Sequence, residues 1–186
     1  GDTGARGDGA PRATGDFGHR ELSQPHQAQL WIEHEWPRPE LLLPPPLRAR
    51  RRSAMVGQVL IHNPARSALT RAAADVGRAL SALRHPHTPE LTTAEGYSID
   101  VAVVQPRVQR GERRVAIEID GPSHFLTGPG GERLPSGATR LKRRQLRALG
   151  WTVLPIPTHE WPRGARRRQA YVAEKLALIR LNACVS

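Results

Sequence analysis

RRVAIEIDGPSHFL (residues 113–126), with YSIDVAVV (97–104) before it, decides what kind of fold this chain can form. Both runs alternate, are rich in β-branched residues, and flank a Pro/Gly/Arg loop, which reads as an antiparallel hairpin. Side chains two apart on a strand share a face. Ile99, Val101 and Val103 on the first strand, with Val115, Ile117 and Ile119 on the second, are therefore expected to face the core. The opposite face would carry Asp100 and Ala102 beside Ala116, Glu118 and Asp120. Three carboxylates next to small alanines suit a hard cation such as Mg²⁺ or Mn²⁺. His124, on the turn GPSH, follows within reach of the same cluster.

The hairpin sits among helical patterns. Upstream, Leu69, Ala72, Ala73, Val76, Leu80 and Leu83 recur at steps of three and four, predicting an amphipathic helix over 65–84 that His85-Pro86 ends. Downstream, residues 121–138 read as a Gly/Pro loop. Residues 139–149 read as a helix with Thr139 as N-cap and Gly150 just past its end. WTVLPI (151–156) reads as a strand that Pro155 places at an edge or ends early, and 165–182 as a last helix. Helix, strands, helix, strand, helix make an α/β domain, assigned to residues 54–186. Residues 1–53 read as a separate extended segment. They comprise a Gly/Asp-rich start, a short helix over 21–35 with Pro25 near its first turn, and a Pro/Arg-rich linker ending in Arg48, Arg50, Arg51 and Arg52. The opening residues carry no secretory or transit signal and read as the middle of a longer polypeptide or a processed product.

The chain has 186 residues and a formal charge of +11, and its 28 basic side chains include only two lysines, Lys142 and Lys175. That surplus points to a polyanion. It is also uneven: residues 133–186 hold 12 basic side chains against two acids, whereas residues 1–47 hold four against seven. A uniform compositional bias towards arginine would not deplete acids in one third of the chain alone. A single cysteine, Cys184, excludes a disulfide framework and a cysteine-based zinc finger, and reads as an inert thiol. The apolar runs are too short and broken to span a bilayer.

On the helix 139–149, Leu141, Gln145, Leu146, Ala148 and Leu149 fall on one arc, and Arg140, Arg143, Arg144 and Arg147 on the other. Lys142 lies within the apolar arc. It therefore needs a carboxylate partner, for which the hairpin's acidic face is one candidate, or a route past the leucines to solvent. The arginine face can bridge phosphates two hydrogen bonds at a time. Arg163, Arg166, Arg167 and Arg168 form a second cluster. Trp161 is a candidate for base stacking, while Trp151, at the start of a strand, is the better candidate for the core.

The succession YSIDVAV (97–103), RRVAIEIDGPSHFL (113–126), LKRRQLRALGW (141–151) and IPTHEWPR (156–163) resembles the RAP domain, over about Ser67 to Leu176. LSQPHQAQLWIE (22–33) more loosely resembles the helical segment that precedes such domains, where octotricopeptide or FAST-kinase-like repeats usually come first. The resemblance implies an organellar RNA-binding protein. The expected compartment is mitochondrial, with the chloroplast as alternative. It also implies a restriction-endonuclease-like mixed sheet flanked by helices. In nucleases of that fold an Asp on one strand and a (D/E)-x-K on the next bind the metal. Asp100 matches the first acid and Glu118 the second, but Asp120 stands where the lysine should be. This departure counts against cleavage unless Lys142 supplies the lysine from the helix.

Three classes of function follow. The first is an RNA-binding module using Arg140, Arg143, Arg144, Arg147 and Arg163 to Arg168, with no cofactor. The second is a Mg²⁺-dependent endoribonuclease with Asp100, Glu118 and Asp120 as ligands and His124 or Lys142 moving protons. The third is an rRNA-binding component of an organelle ribosome, in contact with ribosomal proteins. Membrane binding is set aside, because no basic helix carries a large apolar face.

Overall fold

A computed structural model describes residues 19–59, 66–107 and 111–182. The elements run α1 (His19–His34), α2 (Pro45–Val59), α3 (Arg66–Ala82), β1 (Thr88–Thr92), β2 (Ser98–Arg107) and β3 (Gly111–Asp120). They continue with β4 (Phe125–Thr127), β5 (Arg133–Pro135), α4 (Gly137–Ala148), β6 (Thr152–Pro157) and α5 (Ala165–Asn182). The result is a mixed α/β fold. One four-stranded sheet has the order β1-β2-β3-β6, and β4 with β5 forms a separate small hairpin.

β2 and β3 pair antiparallel with Val101 opposite Ile117 and Val103 opposite Val115, while β3 pairs parallel with β6 through the α4 crossover. Pro155 is tolerated in β6 because this strand closes one edge of the sheet. At the other edge lies β1, whose Pro89 and lack of alternation hid it from the sequence pattern. The Gly/Pro stretch 121–138 likewise contains the β4–β5 hairpin rather than loop alone.

Helix ends follow local chemistry. α4 ends in paired turn bonds, Gly150 N–H to the Arg147 carbonyl and Trp151 N–H to the Leu146 carbonyl, both 2.9 Å. Gly150 adopts the left-handed φ of +84° that such an end requires. α3 ends in the same way at Arg84 (φ +59°), ahead of His85-Pro86. The N-cap of α4 is Ser136, not Thr139: the Ser136 hydroxyl accepts the Thr139 N–H at 3.3 Å, so the cap lies three residues earlier than expected and the helix begins at Gly137.

Where a Pro/Arg linker was expected, the structure has a helix. Pro45 and Pro46 open α2 instead of breaking it, because the first turn of a helix needs no N–H donor. α2 then runs unbroken past residue 53. α1 is longer than expected, carries Pro25 inside it, and places Leu30 in the core beside the sheet. Residues 1–18 and Cys184 lie outside the described residues.

The two faces of the sheet are packed differently. Against α3 and α5 lies a dry aliphatic layer that includes Val76, Leu80, Val101, Val103, Val115, Ile117, Ile119, Ile156, Val172 and Leu176. Under α1 and α4 lies a second cluster, Leu30, Tyr97, Ile99, Ala102, Ala116, Leu146, Trp151 and Val153. Ile99 therefore departs from the face expected for it. Strict alternation fails at Asp100, whose carboxylate accepts the Ile119 N–H at 2.7 Å where a ladder bond between main chains would otherwise form.

Candidate nucleic-acid interface

The polar side of the sheet opens as a cleft of about 450 Å³ lined by residues including Tyr97, Glu118, Asp120, His124, Lys142 and Arg143. Three elements supply them. The inner face of β3 carries Glu118 and Asp120. The chain then turns at Gly121, where a Cβ would stand 3.1 Å from Leu69 Cδ2 of α3. This close approach lets the turn deliver His124, whose Nδ1 lies 2.9 Å from Asp120 Oδ1. α4 crosses above and points Lys142 and Arg143 inward.

Each inward cation meets its own carboxylate. Lys142 donates to Glu118, and Arg143 donates to Asp120 Oδ2. Of the two outcomes open to Lys142 within the apolar arc, a carboxylate partner or a route to solvent, this is the first. Gln145, in the same arc, is buried: its side chain accepts from the Tyr97 hydroxyl and donates to the Gln27 carbonyl of α1 at 2.6 Å. Asp120 and Glu118 are almost wholly buried, and Glu118 Oε1 has no hydrogen-bond partner among the described residues. Burial is the main reason that the Glu118 carboxyl is pushed up to about 7. Lys142 pulls it back only in part, and the negative charges of Asp100 and Asp120 push it further.

Asp100 is the member that does not join. It lines a cavity on the α3 side with Val101 and Pro89, and one of its oxygens is held by the Ile119 N–H. The expected convergence of Asp100, Glu118 and Asp120 is thus not what the structure shows. Among the described residues, no group of three or more His, Cys, Asp or Glu side chains is arranged to hold a metal ion. The break in strand alternation at Asp100 is the physical reason.

The arginines also separate. Arg140, Arg144 and Arg147 are exposed on the outer face of α4, but Arg143 is only 12% exposed and committed to Asp120. Arg144 reaches Glu35 at the end of α1, Nε to Oε1 2.8 Å. In the second cluster Arg163, Arg166 and Arg167 are exposed, while Arg168 is held by Asp75 and the Pro162 carbonyl. The two clusters do not form one surface. Leu146 of α4 packs on one face of the sheet, and Val172 and Leu176 of α5 pack on the other.

Trp161 is partly buried. It packs against the aliphatic layer, edge-on to Tyr171 at 5.7 Å, with Arg168 over its ring, so it offers less open surface than the exposed Trp36. Trp151 is buried, as its strand position suggested. The exposed tryptophan is Trp36, at the end of α1, where no periodic pattern marked it.

Comparison with known sequences bears on this arrangement. The family model named RAP domain matches residues 117–175, the span from the middle of β3 into α5. That span is RAP-like. Within that span fall Glu118, Asp120, His124, Lys142, Arg143 and both arginine clusters. RAP domains are generally RNA-binding. A rice (Oryza sativa subsp. japonica) relative, "RAP domain-containing protein, chloroplastic", is 37% identical over 87 residues. The aligned stretch covers 47% of this chain and only 12% of that protein. Among the described residues no helix is long and apolar enough to cross a membrane.

Proposed function

We propose that this chain binds RNA phosphates without turnover, in an organelle, through the outer face of α4. One observation carries the reading. α4 sends Lys142 and Arg143 inward to neutralise buried carboxylates and keeps Arg140, Arg144 and Arg147 at the surface. The inward charges balance locally and Arg144 is paired with Glu35, so Arg140 and Arg147 supply the net positive field that a polyanion meets. Arg163, Arg166 and Arg167 provide a second, smaller patch on the turn into α5. The RNA is an organelle transcript undergoing stabilisation or processing, or an rRNA within an organelle ribosome, where ribosomal proteins would be neighbours. The compartment proposed from the sequence is the mitochondrion with the chloroplast as alternative, and the chloroplast named for the rice relative supports an organelle of either kind.

The runner-up, a Mg²⁺-dependent endoribonuclease on a restriction-endonuclease-like sheet, draws its support from the Glu118–Lys142 pair inside a cleft. The donor set does not fit that ion. Mg²⁺ requires several oxygens in near-octahedral array. Here Asp120 gives one oxygen to His124 and the other to Arg143, Asp100 faces away, and Glu118 Oε1 is the carboxylate oxygen left without a partner. No cleavage step runs through such a set.

Reversing Arg140, Arg144 and Arg147 to Glu should weaken binding of RNA across sequences. It should also flatten the dependence of log K on log salt, by about 0.7 for each single-strand phosphate that the protein no longer neutralises. Affinity and salt slope both unchanged would overturn the proposal. Cleavage of labelled RNA that is abolished in Glu118→Gln would favour the enzyme instead.

A further inference from the structure

We infer that the end of α1 forms a stacking site for an unpaired nucleobase, centred on Trp36 and continuous with the arginine face of α4. Of the four tryptophans, Trp36 alone is exposed, at 43%. Its ring is braced rather than dangling. Trp31 lies one turn back with ring centroids 5.3 Å apart and planes tilted by 32°, and the Glu35 and Trp36 N–H groups both bond to the Trp31 carbonyl. The Arg38 guanidinium stands 5.2 Å from the Trp36 ring centroid. One residue before Trp36, Glu35 is held by Arg144, which pins this end of α1 beside the outer face of α4. An aromatic ring with an exposed surface, a guanidinium over it and a row of arginines alongside is the combination that single-stranded nucleic acid uses. The bases stack and the phosphates pair.

The charge around the ring favours this occupant over an apolar protein segment. Glu35 is neutralised by Arg144 and Glu40 by Arg38, while Arg140 and Arg147, which line one hollow with Arg144, add positive charge alongside that is unpaired among the described residues. A duplex cannot use the site, because its bases are already stacked and its backbone alone is available to the arginines. Trp36 lies outside the span matched by the RAP domain model, so the site extends the binding surface onto the preceding helix.

The inference rests on the RNA-binding reading above, and the test separates the two. The whole chain is titrated with a labelled short oligouridylate and with a blunt RNA duplex of the same length. Trp36→Ala should lower affinity for the single strand by about tenfold, the scale of one base–aromatic stack, and leave duplex affinity unchanged. Trp36→Phe should recover most of the loss. Unchanged single-strand affinity in Trp36→Ala would overturn the stacking site, as would equal losses on both probes. Loss of self-association in place of loss of RNA affinity would assign the ring to a second copy of the chain and equally overturn it. Failure of the arginine reversals with a retained Trp36 effect would sink the phosphate-binding proposal and leave the stacking site standing.

Discussion

The two faces of the central sheet solve different problems with the same strands. Towards α3 and α5, β3 presents Val115, Ile117 and Ile119 to an aliphatic layer whose largest members are fully buried. Towards α4, the same strand presents Ala116, Glu118 and Asp120, and each buried carboxylate is answered by a cation from the helix above. The dry face stabilises by removing apolar surface from water. A buried ion pair, by contrast, is weak evidence for stability, since desolvation offsets much of its attraction. The acidic island is better understood as a device for orienting α4. By holding Lys142 and Arg143 down, it sets which arginines of that helix remain at the surface.

The largest effect should come from the dry face. Leu80→Ala removes a fully buried side chain and should cost about 3–5 kcal/mol in chemical denaturation. A cost below about 1 kcal/mol would show that the layer is loosely packed. On the polar face, Arg143→Ala leaves Asp120 charged and buried, with only His124 still bonded to it. That should cost about 3 kcal/mol, whereas Arg144→Ala, which breaks an exposed pair with Glu35, should cost under about 1 kcal/mol. Equal costs would erase the distinction between inner and outer arginines.

The pH dependence of stability probes the same contrast. The Glu118 carboxyl is held near 7 in the folded protein against an ordinary value of 4.5. Between those values the folded state retains a proton that the unfolded chain has released, so stability should fall as pH rises through the window and level off above it. The full swing is at most about 3 kcal/mol. Glu118→Gln should flatten it, as read from urea midpoints on either side of the window. A slope that survives the substitution belongs to another group.

Much of this was legible in the chain. The steps of three and four in Leu69 to Leu83 and the alternation of RRVAIEI report burial on one side of a regular element, and both elements form where that pattern places them. The position of Lys142 on the apolar arc of α4 was legible too, but whether it would take a carboxylate partner or reach solvent was decided by the packing of α4 on β3. β1 and α2 were not legible. The first is an edge strand with little to bury, and the second begins with two prolines that a linear reading takes as breakers. Asp100 was misplaced because alternation assumes an unbroken ladder, and its own carboxylate, by accepting the Ile119 N–H, breaks it.

Residue order was thus enough for the helices that bury a stripe, the central hairpin, the helix end at Gly150 and the concentration of positive charge after residue 132. Those properties depend on neighbours along the chain. Which charges cancel was settled only by the packing of distant elements. Glu118 with Lys142 and Asp120 with Arg143 are contacts across 24 and 23 residues, and Arg144 with Glu35 spans 109. Coulomb attraction and desolvation depend on distance in space and on burial, neither of which is written in residue order. The same holds for Trp161, packed partly buried against the aliphatic layer edge-on to Tyr171, and for Trp36, left at the surface where α1 ends.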